Sequence, residues 1–285
     1  MSEPGATTPS AFLDDRRPIV PAPPSLYGFG GLHGGLVAGR LVAAMAELAG
    51  DRQLGSLFVQ LHDPVRGDVA VEPRVRRDGP MLIVDASGYS NGRHAVTAMA
   101  TFAPADAQLD HTVAPASPAA GRPHDHGTFA VPTELAPIAA HFEIRPVGHD
   151  RPYAGGTAPE LTAWVRLTDD EQPPDLARLA VLSDALAPSF AATLTVPRPI
   201  PTVELTLRPG GLQTATTSPW VLVRAVTTSA TAHGWIDERI DAWGVDGRHL
   251  VVAHQLRAVR ARRRLAHTSA PSGSAAADTE EETPR

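Results

Sequence analysis

The sequence predicts an α+β chain built twice on one plan, each copy a single apolar helix enclosed by an antiparallel sheet, and three observations carry that prediction. First, residues 174–190 (PDLARLAVLSDALAPSF) read as a helix in which Leu176, Leu179, Ala180, Val181, Leu182, Ala185 and Leu186 leave no broad polar face. Only Arg178, Ser183 and Asp184 interrupt it, and a helix apolar all round belongs inside other structure; the alternative is that Ser183 or Asp184 merely caps or ends a short helix. Second, each helical pattern is followed by strand-like runs bounded by turn residues. Third, NGRHAVTAMATF (91–102) and DGRHLVVAHQLR (246–257) repeat the same device, an Asn-Gly or Asp-Gly hairpin turn leading into a last strand. An antiparallel sheet curled round a lone helix is the economical way to bury it.

Taken in order, residues 1–10 are polar and aperiodic, and are expected to be a disordered N-terminus. A first unit follows over residues 11–104. Its Gly-rich opening runs into a helix at about 33–48, with Leu36, Val37, Leu41, Val42, Met45 and Leu48 as apolar members. Gly34, Gly35 and Gly39 weaken that helix by about 1 kcal/mol each, which makes sense where another backbone passes close by. Strands are expected at 56–64, 68–77, 81–89 and 93–104. Residues 105–138 are rich in Ala and Pro without a period, and predict a linker or long surface loop. The second unit, 139–262, has strands at 142–148 and 161–167, the 174–190 helix, and then the runs TVELTLRP, WVLVRAVTTSATA, GWIDERIDAWG and RHLVVAHQLRAVR. Residues 263–285 read by composition as a disordered tail.

Composition narrows the function. The chain has 285 residues, 42% of them hydrophobic, and a net charge of −6, so no basic excess points to nucleic acid. No apolar run reaches the length of a membrane span, and the N-terminus lacks the pattern of a signal peptide; a cytoplasmic location is the expectation. Cysteine is absent, which excludes disulfides, thiol nucleophiles and Cys-bound metals. All 25 basic side chains are Arg, which excludes a lysine Schiff base and a P-loop lysine.

The order GGLHGGLVAGRL, SLFVQLHDP, TAWVRL, LSDAL, PTVEL and AHQLRAVR resembles the acyl-CoA thioesterase II family, over residues 12 to about 262. The resemblance implies a tandem double hot-dog, each unit an antiparallel sheet wrapped round one long helix. It also implies hydrolysis of acyl-CoA thioesters by water that an Asp, a Thr and a Gln of the second unit orient and activate. By motif these fall on Asp184 of LSDAL, Thr202 of PTVEL and Gln255 of AHQLRAV. Acyl-CoA is the implied substrate, with no metal or other cofactor, and a homodimer or larger homo-oligomer is the implied assembly. The chain departs from the family at Phe58, Gln60, Leu61, His62 and Asp63, and in TLRPGG; these changes bear on the acyl pocket more than on the three polar residues.

A thioester carbonyl is electrophilic and its thiolate leaves readily, so water needs only a base, groups to aim it, and donors for the developing oxyanion. Asp184, desolvated, fits the base; Thr202 and Gln255 fit the aiming groups. Amides at the start of the first helix, at Gly34 and Gly35, are candidate donors to the carbonyl oxygen. The alternative is a buried Asp–Thr–Gln network that only ties helix to sheet, in a non-catalytic protein that binds acyl-CoA or lipid. A hot-dog dehydratase ranks below both, for want of a suitable Asp/His pair. In the first copy the position of Gln255 is Ala100, and the first helix offers no carboxylate before Glu47, so one copy keeps the polar groups.

Other signals point to structure. GYSNG matches the serine-hydrolase string, but a hairpin turn fits it better than a strand-to-helix elbow. His124-Asp125-His126 lacks a third ligand nearby. His33 and His254 read either as substrate contacts or as ordinary packing. Arg260, Arg262, Arg263 and Arg264 read either as attractors of CoA phosphates or as a solvated strand end. Trp164, Trp220, Trp235 and Trp243 read as core or interface aromatics.

Overall fold

The computed structural model describes residues 7–104, 111, 113–210 and 216–260. Its strands form one 11-stranded antiparallel sheet: β1 (Ile19–Ala22), β2 (Gln53–Leu61), β3 (Gly67–Arg77), β4 (Leu82–Ser90), β5 (Arg93–Ala103), β6 (Phe142–Pro146), β7 (Glu160–Leu167), β8 (Thr202–Pro209), β9 (Val221–Ala230), β10 (Trp235–Gly244) and β11 (His249–Ala258). The spatial order is β1-β3-β4-β5-β2-β8-β11-β10-β9-β7-β6. Three helices accompany the sheet: α1 (Pro9–Asp14), α2 (Gly34–Ala46) and α3 (Leu176–Ser183).

The order is nearly symmetric about the β2–β8 pairing, where Leu57 lies opposite Leu207 and Val59 opposite Leu205. On one side β2 pairs with β5 and β5 with β4; on the other β8 pairs with β11 and β11 with β10. The registers correspond residue by residue. Ala100 faces Leu57 on β2 and Val84 on β4, just as Gln255 faces Leu205 on β8 and Glu238 on β10. Phe102 faces Leu54 in the first half as Arg257 faces Thr202 in the second.

The two helices cross where α2 carries glycine. A Cβ on Gly35 would lie 2.8 Å from the Ala180 carbonyl oxygen and 2.8 Å from Val181 Cα; one on Gly39 would lie 2.7 Å from the Ala177 oxygen. The close backbone approach expected from those glycines is the α2–α3 crossing. Inward alternation along the strands encloses both helices in one core, with Leu36, Leu41, Met45, Leu179, Val181, Leu57, Val84, Leu207 and Val251 all buried.

Three expectations need correction. The 174–190 helix covers only Leu176–Ser183: Asp184 leaves it with φ −106° and ψ 9°, and Pro188, which cannot sit in a helix interior, precedes a short 3-10 turn at Ser189–Thr193. The second helix is therefore short rather than long. Part of the supposedly disordered N-terminus is helical: Thr8 caps α1 and Pro9 begins it, an N-cap and N1 pair legible in principle, and Phe12 and Leu13 are fully buried. Residues 1–6 and the tail at 263–285 lie outside the described residues. The described part of the connection, 111 and 113–138, is more than a surface loop. Its Pro115 and Ala120 carbonyls accept hydrogen bonds from Trp243 Nε1 (3.0 Å) and Trp164 Nε1 (3.4 Å), and it covers a second apolar cluster of Trp164, Trp220, Leu222 and Trp243. Trp235 stands apart, exposed.

Candidate active site

Three elements of the second half bring the polar residues together. Asp184 is the C-cap of α3, Thr202 opens β8, and Gln255 lies on the inward face of β11 with Ala253 and Arg257. Gln255 Nε2 donates to Asp184 Oδ1 at 2.8 Å, and Thr202 Oγ1 donates to Gln255 Oε1 at 2.8 Å. Asp184 and Gln255 are buried, and Thr202 is half-buried. All three sequence-predicted residues thus meet in one hydrogen-bonded chain.

The other oxygen of the carboxylate reaches the first half. Gly35 N–H, in the first turn of α2, donates to Asp184 Oδ2 at 2.8 Å. His33, the N-cap residue of α2, makes no side-chain capping bond of its own, so Asp184 caps α2 from across the crossing. The Gly35 amide, expected to be available to a substrate oxygen, is therefore committed to the carboxylate. Gly34 faces the cavity beside it and remains a candidate donor.

That cavity, of about 280 Å³, is walled by Val37, Leu61, Ile138, Phe142 and Ile144, and Asp184, Thr202 and Arg257 line it too. Leu61, His62 and Asp63 also line it, so three of the positions that depart from the family pattern fall on the pocket wall. Tyr153, held at φ +63°, lines it too, and burial pushes its phenol up, keeping the hydroxyl protonated as a donor. Arg198 and Arg260 are exposed and line the same cavity. Arg262, Arg263 and Arg264 lie outside the described residues.

The two histidines separate. His33 Nε2 is 2.9 Å from the Asp184 backbone oxygen; because a carbonyl only accepts, this nitrogen carries the proton, and the ring lies on the cavity wall. His254 is exposed on the outer face of β11, where burial and then Arg239 and Arg208 lower its pKa, and it does not line the cavity. GYSNG is the β4–β5 hairpin, with Asn91 and Gly92 both at positive φ, the geometry of a tight turn. Among the described residues no group of His, Asp or Glu is arranged to hold a metal.

Sequence reasoning missed Arg257 and Glu238. Arg257 Nε donates to Glu238 Oε2 at 2.7 Å, and its NH1 donates to Thr202 Oγ1 at 3.0 Å. Its NH2 lies 3.5 Å from Asp184 Oδ1. The available signal was the two-residue period: Arg257 shares the inward face with Gln255.

A family model described as the acyl-CoA thioesterase C-terminal domain matches residues 110–259, more than half of the chain. The chain belongs to the acyl-CoA thioesterase family. This thioesterase, a thioester hydrolase by family, has a hot-dog fold in common with several solved structures. One is a conserved protein of unknown function with hot dog fold from Alicyclobacillus acidocaldarius, at 24% identity and TM-score 0.75, covering 85% of this chain and 92% of that one. Another is the acyl-CoA thioesterase II TesB2 from Mycobacterium marinum, at 19% identity and TM-score 0.67, covering 89% and 98%. A third is the tesB protein of Mycobacterium avium subs paratuberculosis, at 18% identity and TM-score 0.69, with the same coverage. At these identities the likeness concerns the fold. No curated protein matches the thioesterase. No described helix is long and apolar enough to cross a membrane.

Proposed function

We propose that this chain hydrolyses acyl-CoA to free acid and CoA, using a water activated by Asp184 and oriented by Thr202, with Gln255 tying the two together. The observation that carries this reading is the chain of hydrogen bonds from Thr202 through Gln255 to Asp184, whose two ends line a largely apolar cavity. Asp184 Oδ2 keeps a second lone pair beyond its bond to Gly35, so the carboxylate can accept a proton from a water on the cavity side. The water oxygen then bonds to the thioester carbonyl carbon, and the Gly34 amide is the candidate donor to the oxyanion. Collapse of the tetrahedral intermediate breaks the carbon–sulfur bond. The departing thiolate takes the proton back from Asp184.

The near-symmetric sheet supports a tandem of two hot-dog units, 11–104 and 139–262, of which the second keeps the polar groups. Val37, Leu61, Ile138, Phe142 and Ile144 suit an acyl chain. Measuring free CoA released from short, medium and long acyl-CoAs tests the reading. Turnover with at least one chain length is expected; binding of all of them with no CoA released would make the protein a carrier instead.

A further inference from the structure

Resting on that reading of the site, we propose that Arg257, held by Glu238, is the positioning residue that, from the end opposite the acceptor-only carboxylate of Asp184, holds Thr202 in the hydrogen-bond chain leading to Asp184. Arginine can only donate, so Thr202 Oγ1 accepts from it at 3.0 Å. The single hydroxyl proton of Thr202 therefore points to Gln255 Oε1, 2.8 Å away. That agrees with what the acceptor-only carboxylate of Asp184 requires of the amide, whose Nε2 faces Asp184 Oδ1 at 2.8 Å. With its proton committed to Gln255, Thr202 meets the cavity as an acceptor, able to accept a hydrogen bond from the water and turn the water's lone pair toward a substrate. Glu238 anchors the guanidinium at 2.7 Å and also accepts the Ser189 N–H.

The fold does not require this arrangement, because the first half provides its own control. At the positions corresponding to Thr202, Glu238, Gln255 and Arg257 it carries Leu54, Val84, Ala100 and Phe102, all buried. The same strands in the same registers pack there with apolar side chains alone. Arg257 and Glu238 are 5% and 1% exposed, and a buried ion pair is seldom better for stability than the apolar packing that could replace it.

The test is the double variant Glu238→Gln/Arg257→Met, which removes both buried charges together and leaves Asp184, Thr202 and Gln255 in place. Its kcat on acyl-CoA is expected to fall about tenfold or more, the size of one lost charge-assisted hydrogen bond, with KM little changed. Hydrogen exchange at the Gln255 side-chain amide, followed by nitrogen-15 NMR, is expected to speed up by a similar factor. If the double variant does not fold, Arg257→Lys, which cannot reach Glu238, Thr202 and Asp184 at once, gives the same two readouts and the same expectations. Unchanged kcat with unchanged amide exchange would overturn the proposal. A proportionate rise in KM with kcat intact would make Arg257 a substrate-binding group and overturn it equally. The amide measurement needs no turnover, so failure here is distinct from failure of the hydrolytic reading, which the activity of Asp184→Asn decides.

Discussion

Asp184 is buried yet surrounded by donors. Gln255, the Gly35 amide and the Arg257 guanidinium come from a strand and a helix on opposite sides of the crossing, replacing the water that burial removes. A contrasting cluster on the outer face of the second half is structural. Burial pushes the Asp241 carboxyl up, but hydrogen bonds from His249 (2.9 Å) and Arg239 (2.6 Å) outweigh it and hold the group at about 2 against an ordinary 3.8. A carboxyl depressed in the folded state adds stability that is complete above the unfolded value and lost as pH falls through the folded one. Asp241→Asn should therefore lower stability at neutral pH and flatten its fall between about pH 4 and 2, as read by denaturant titrations at several pH values; an unchanged acid limb would contradict this. Asp184, Thr202 and Gln255 were legible because each sits in a short motif in a fixed order. Arg257 was not: an arginine near the end of a terminal strand reads as solvated until the sheet shows which face it occupies.

At the scale of elements, the α2–α3 crossing places the site. It brings the C-terminus of one helix onto the N-terminus of the other, and glycine makes the approach possible. Gly35→Ala would set a Cβ 2.8 Å from the backbone of α3, so the helices must part. The expected cost is about 1–3 kcal/mol of stability, with loss of the Gly35–Asp184 bond and of turnover, measured by thermal unfolding alongside kcat; a variant as stable and active as the parent would show that the crossing is looser than described. The helix at 33–48 and the strands of both halves could be read from periodicity and turns. The edge strand β1 could not, because four residues around Pro21 carry too little pattern, and the short α1 offered only its Thr8–Pro9 start. The break at Asp184 was open only as the alternative that Ser183 or Asp184 ends a short helix, because apolar residues continue past it.

Across the whole molecule, near-symmetry has been kept in the sheet and lost in the chemistry. Glu47, the C-cap of α2 as Asp184 is of α3, is exposed and pairs with Arg16 at 3.2 Å, while the strand positions facing the first half's core are apolar. Arg198 and Arg260 line the same cavity as the polar cluster, make no ion pair among the described residues and suit the phosphates of CoA. Arg198→Gln/Arg260→Gln should raise KM for acyl-CoA several-fold and leave it unchanged for the same acyl group on N-acetylcysteamine, which has no phosphate; an equal change with both would assign the two arginines another role. The central claim, that Asp184 takes the proton from the attacking water, is tested most directly by the kcat of Asp184→Asn on the best acyl-CoA, with circular dichroism confirming the fold. A fall of about a hundredfold or more is the predicted result, and turnover at the parent rate would contradict it.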